Sequence, residues 1–125
     1  MSERGGAAAR VLGNWGEGIA LKYLEGKGYS KVAQGFRSRF GEVDIIARNK
    51  EFIVFVEVKL RKNANFAYAR EYVGKAKQRK IKMTANIWLA SNRPALQPRF
   101  DVIEIYAPHG EATASPGIEH IENAF

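Results

Sequence analysis

The chain contains no cysteine, which excludes disulfides and cysteine-ligated zinc. Its two histidines, His109 and His120, fall in a predicted loop and in the C-terminal tail, and neither is assigned a metal or catalytic role. No apolar run approaches the roughly 20 residues a membrane-spanning helix needs, and the N-terminus lacks the apolar core of a signal peptide. A cytoplasmic protein with no membrane partner is therefore expected. There is no glycine-rich phosphate loop, no internal repeat and no domain linker. What remains is a composition of ordinary soluble globular type, 46% hydrophobic and 26% charged over 125 residues. That length suits a single domain spanning 1–125, with 1–10, small and polar, expected to be a mobile tail. The net charge of +7 with a pI near 9.8 points toward a nucleic-acid partner, because lysine and arginine displace counterions from phosphates.

The most informative stretch is 52–60, Phe-Ile-Val-Phe-Val-Glu-Val-Lys-Leu. A β-branched and aromatic run that is apolar on both alternating faces predicts a central strand. Glu57 and Lys59 share one of those faces, and a buried strand does not carry an acid and a base on one face without a use or a partner for each. Gly41–Arg48 also reads as a strand, and Asn49, Lys50 and Glu51 between the two predict a hairpin. A two-residue turn at either Asn49-Lys50 or Lys50-Glu51 places Asp44 on the face of Glu57 and Lys59, at or near the cross-strand position. A three-residue loop flips Asp44 to the other side. Asp44 and Glu57 offer hard oxygen ligands suited to Mg²⁺ (or Mn²⁺). Lys59 can hold or help deprotonate an attacking water, or neutralise phosphate charge. The bland alternative is that Glu57 and Lys59 pair with each other, which leaves Asp44 and Glu17 unexplained.

Around this hairpin, a helix is expected over 11–27, stopped by Gly28. Its wheel puts Gly13, Glu17, Ala20 and Leu24 on one stripe, so Glu17 points inward as a third carboxylate or lies at the stripe's edge. Gly13 and Gly16 are expected to let the helix approach the sheet closely. Residues 29–36 read as a weak strand at or near an edge. Arg37 and Arg39 then lead into the hairpin, either as phosphate contacts or as a solvated turn. The loop 61–72 interleaves Arg61, Lys62 and Arg70 with Phe66, Tyr68 and Tyr72, either to bind a nucleic-acid strand or with the aromatics tucked over the sheet edge. A second helix over 73–91 crowds Lys75, Lys77, Arg79, Lys80 and Lys82 into its first half, against the helix dipole. That conflict suggests either a phosphate-facing wall or a solvated basic face. Trp88 is expected in the core. Residues 99–106 form another strand, where Asp101 is read as a strand-end cap or a further acid near the site. The apolar spacing of Ile118, Ile121 and Phe125 suggests that the tail docks on the core.

The pattern Asp44, then Glu57-Val58-Lys59, resembles the signature of the restriction-endonuclease-like nucleases. The element order is that superfamily's α-β-β-β-α-β layout, an α/β fold with a mixed sheet flanked by helices. Gly16-Glu17, Gly41 through Ala47, Phe55 through Lys59 with Arg61, Lys77-Gln78, Arg99 through Val102 and the ending Asn123-Ala124-Phe125 together resemble the YraN-type family of bacterial proteins. That family is predicted to be nuclease-like and similar to archaeal Holliday-junction resolvases; Phe66-Ala67 departs from its usual Phe-Gly. The resemblance implies a Mg²⁺-dependent DNA endonuclease, with branched or junction DNA as the substrate class it suggests. Glu17, Asp44, Glu57 and Lys59 would be catalytic, Asp44 and Glu57 metal ligands, and Arg37, Arg39, Arg61, Lys62, Lys75, Lys77 and Arg79 nucleic-acid contacts. It also implies a possible homodimer that would set two sites on two strands. The alternative is a non-catalytic nucleic-acid-binding module on the same fold.

Overall fold

The computed structural model describes residues 2–62 and 73–125, with the first helix's side chains from residue 11 onward. The elements run α1 (Ser2–Gly26), β1 (Ser30–Ser38), β2 (Gly41–Arg48), β3 (Phe52–Arg61), α2 (Lys75–Asn92), β4 (Gln97–Tyr106), a 3₁₀ turn at Gly110–Ala112 and β5 (Gly117–Ile121). The strands form one mixed sheet in the order β1-β2-β3-β4-β5. All neighbours are antiparallel except β3 and β4. That parallel pair needs a crossover connection, and α2 supplies it. The architecture is thus the expected α-β-β-β-α-β core of a restriction-endonuclease-like fold, with a fifth strand added. None of the helices among the described residues is long and apolar enough to cross a membrane.

Each face of the sheet carries its own core. Val54 and Val56 of β3 pack with Ile45, Ile103 and Ile105 against Ala20 and Leu24 of α1. Ile53 and Phe55 pack with Ile46 and Val102 against Ile81, Ala85 and Trp88 of α2. A strand covered on both faces has no water-facing side to encode, so β3 reads as a continuous apolar run. Trp88 meets the Phe55 ring edge-on at 5.9 Å, in the core as expected.

α1 stops where the sequence places its stop. Gly28 adopts φ +93°, the Gly28 amide donates to the Glu25 carbonyl and the Tyr29 amide to the Leu24 carbonyl. This is a Schellman cap, closed by apolar contact between Leu24 and Tyr29. The start differs from expectation: the helix begins at Ser2 rather than near residue 11, so 2–10 is helical in place of the expected tail. Ala7, Ala8 and Ala9, the strongest helix formers, carry the helical conformation back past that point. Of the two glycines expected to admit close packing, Gly16 does so, since a Cβ there would lie 3.1 Å from Leu60. Gly13 does not; nothing lies within 4 Å of its Cβ position.

The hairpin closes on Lys50-Glu51. The Asn49 amide donates to the Phe52 carbonyl, and Asn49 Oδ1 accepts the amides of Glu51 at 2.9 Å and Phe52 at 2.8 Å, a side-chain-closed turn. At the other edge the C-terminal segment is clamped to β4. Asp101, with no exposed surface, accepts Arg99 through both oxygens at 2.9 and 2.8 Å and the Asn123 amide at 3.0 Å. His120 Nε2 stands 2.7 Å from the same carboxylate. Phe125 then stacks on Phe100 with ring centroids 5.5 Å apart. The tail therefore docks as expected, and Asp101 is a structural anchor rather than a further acid near the site.

Candidate acidic site at the open end of the hairpin

A two-residue turn fixes the register of β2 on β3: Arg48 faces Ile53 and Ile45 faces Val56. The same register sets Asp44 opposite Glu57. There the regular pairing ends, because Asp44 Oδ2 accepts the Val58 amide at 2.8 Å in place of a backbone carbonyl. The strands part at this point, and the gap between them is lined by acids. Glu17 arrives from α1, anchored by a 3.2 Å hydrogen bond from Gln34 of β1. Glu42 shares Asp44's strand face two residues earlier. One carboxylate oxygen each from Glu17, Glu42 and Asp44 lie within 4.8 Å of one another, a spacing that a single cation can span.

Glu57 is 6% exposed. Its Oε2 is fully buried and makes no hydrogen bond among the described residues. The Lys77 ammonium of α2 pairs with that oxygen at 2.6 Å. Charge follows from this packing. Burial, then the hydrogen bond and charge of Glu57, push the Asp44 carboxyl up to about 9, against the opposing pull of the Val58 amide. Burial alone would raise Glu57 as well, but its hydrogen bond with Asp44 and the Lys77 ammonium outweigh it and hold Glu57 below the ordinary range. Asp44 thus carries the proton and Glu57 the charge. Burial followed by repulsion from Glu42 and Glu57 raises Glu17, with Gln34 opposing. Lys59 is lowered by burial and by its neighbour Lys77, with Glu57 opposing. Lys77 is raised, because Glu57 outweighs its burial.

The structure therefore brings Glu17, Asp44, Glu57 and Lys59 into one electrostatically linked group. The metal-ligand pair read from the sequence, Asp44 and Glu57, becomes a wider set. Asp44 joins Glu17 and Glu42, while Glu57 faces Asp44 and Lys77. Glu42 went unread although its signal was present: it lies two residues from Asp44 and so shares that residue's face.

The cations divide. Arg37 lies opposite Glu42 in the β1–β2 register and donates to it at 2.9 Å, which places its guanidinium at the rim of the acid group. Arg39 is exposed and stacks over Phe40. Lys62, Lys75 and Arg79 are exposed. Arg61 turns inward, donating to the buried Glu104 at 3.1 Å, because a buried carboxylate needs a charged partner. The rest of the loop expected to bind nucleic acid, including Phe66, Ala67, Tyr68, Arg70 and Tyr72, lies outside the described residues.

Residues 16–105 match the Uncharacterised protein family UPF0102, and the chain belongs to that family. It is 44% identical to a UPF0102 protein of Syntrophotalea carbinolica over 91% of this chain and 90% of the relative. It is 44% identical to one from Caldanaerobacter subterraneus over 93% and 95%, and 42% identical to one from Rhodococcus opacus over 92% and 96%. The matched span contains every residue of the acid group.

Proposed function

We propose that this member of the UPF0102 family is a Mg²⁺- or Mn²⁺-dependent endonuclease acting on DNA, with branched or junction DNA the first class to try. The observation that carries the reading is the Asp44–Glu57 pair. The buried Glu57 and the part-buried Asp44 face each other at the point where a hairpin opens, Asp44 forced to hold a proton, with two more acids close by. Folding gains nothing from such an arrangement, and groups with strongly shifted protonation, set in a cleft, mark functional sites. The donor set fits a hard divalent ion: all oxygen, with no cysteine or histidine among it.

Asp44, Glu17 and Glu42 would hold such an ion, with Glu57 beside them. The ion supplies Lewis-acid polarisation of the scissile phosphate and a nucleophile at neutral pH. Lys59 borders the same charges; its depressed affinity for a proton suits it to hold and orient the attacking water or to take its proton. Arg37 at the rim, the exposed Arg39 and the exposed lysines of α2 would hold the phosphate backbone.

Cleavage of labelled branched, flapped, single-stranded and duplex DNA tests this, with Mg²⁺, Mn²⁺ or EDTA and with Asp44→Ala and Glu57→Ala proteins of verified fold. Metal-dependent nicking lost in both variants is the expected result. Salt-sensitive binding without cleavage in any metal identifies a binding module instead.

A further inference from the structure

The contact between Lys77 and Glu57 is unusual in three respects. The oxygen involved is buried, and its partner is an ammonium 2.6 Å away. The lysine side chain is 49% exposed while that of Glu57 is 6% exposed, so the cation can withdraw to solvent and the carboxylate cannot. Lys77 also belongs to the first turn of α2, where Gly74 offers no side-chain cap and no acid balances the helix dipole. A cation there costs the helix stability, so the local structure of α2 does not account for it. The ammonium has the position of a positive charge against an oxygen of the type that ligates a hard cation.

We propose that Lys77 is the resident counter-cation of the metal-free site: its ammonium takes the side of Glu57 that a divalent ion claims, and ion binding releases it. This rests on the reading of the acid group as a cation site and adds what holds the group together without the ion. With Asp44 protonated, the carboxylates of Glu17, Glu42 and Glu57 still repel one another, and an ammonium that can leave offsets their charge until an ion arrives. Lys77 then differs from Lys59, which lies on the same strand as Glu57 and cannot withdraw. Released, Lys77 sits beside the site with a free charge, fit to take a phosphate oxygen. It is a positioning residue, acting through Glu57.

The test uses the full chain and Mn²⁺ alone as the probe. Calorimetric titration compares the wild type with Lys77→Met and with Asp44→Ala. In parallel, an amine-reactive ester labels lysines with and without saturating Mn²⁺, and Lys77 is followed by peptide mass mapping. Removing one positive charge at contact distance from the ion is expected to tighten Mn²⁺ binding at least about tenfold. Labelling of Lys77 is expected to rise severalfold with Mn²⁺ in the wild type and to stay constant in Asp44→Ala. Asp44-dependent Mn²⁺ binding with affinity unchanged or weaker in Lys77→Met, and no rise in labelling, overturns the inference while leaving the cation site intact. No Mn²⁺ binding in either the wild type or Lys77→Met overturns both. Labelling requires no substitution, so it decides the matter should Lys77→Met fail to fold.

Discussion

Two groups of buried acid sit in one sheet and are treated in opposite ways. Asp101 is wholly enclosed and fully satisfied: Arg99 occupies both oxygens, the Asn123 amide and His120 complete the shell, and these partners outweigh burial to hold its carboxyl below the ordinary range. Asp44 is part-buried with another acid as its neighbour, and burial leaves it holding a proton up to about pH 9. The first arrangement stabilises by joining the C-terminal segment to β4. The second costs stability and returns only the one hydrogen bond from the Val58 amide. Burial of a carboxylate is therefore not itself a signal of function; burial without enough cationic or amide partners is.

The comparison can be broken at either end. The largest effect is expected at Asp101. Asp101→Ala strands the Arg99 guanidinium, which is 10% exposed, and should cost about 3–5 kcal/mol in denaturant unfolding. A loss below about 1 kcal/mol would show that the clamp is ornamental.

Asp44→Asn should do the reverse. An amide reproduces the protonated acid, accepting from the Val58 amide and donating to Glu57, without a proton to lose. It should raise stability at pH 8, and by more than at pH 4, while abolishing cleavage.

The pH dependence of that difference sharpens the point. Asp44 has a folded value near 9 against an ordinary 3.8. Its contribution is complete below the ordinary value and is lost as pH rises toward 9, because the unfolded chain gives up the proton first. The stability gap between Asp44→Asn and the wild type should widen from pH 4 to pH 9 and then level off. For Asp101, whose value is lowered, the contribution is present at neutral pH and is lost only as pH falls below the ordinary carboxylate range. Chemical denaturation across pH separates the two.

The smallest effect is expected at the rim. The Arg37 side chain is 80% exposed in its pair with Glu42, so Arg37→Ala should change stability by less than about 0.5 kcal/mol. DNA affinity should nevertheless fall, with a shallower salt dependence.

Much of this was legible in the sequence. The doubly apolar 52–60 stretch announced a central strand, and the Asn-Lys-Glu turn limited the register enough to set Asp44 against Glu57. Gly28 marked the end of α1, since a left-handed cap favours that residue. Other parts were not legible, for physical reasons. The Ala7–Ala9 run carries helix propensity without the amphipathic pattern that marked the start of α1 at residue 11. β5 is five residues long and exposed over its first three, so periodicity hardly registers; it is held by pairing to β4 and by the Asp101 clamp, which are long-range. Arg61 in the loop and Lys77 in the second helix both read as nucleic-acid contacts. Which of them would meet a buried acid depended on Glu104 and Glu57 being brought near by folding. For Lys77, expected on a phosphate-facing wall or a solvated face, the pairing with Glu57 is an addition that only the fold supplies.

The most direct measurement is denaturant unfolding of the wild type and Asp44→Asn at pH 8, each with and without millimolar Mg²⁺. The account predicts that without the ion Asp44→Asn is the more stable. Mg²⁺ should then stabilise the wild type by mass action and leave Asp44→Asn unmoved, so that the gap closes or inverts. If Mg²⁺ shifts neither protein, or both equally, the acid group at the open hairpin is not a cation site and the nuclease reading fails with it.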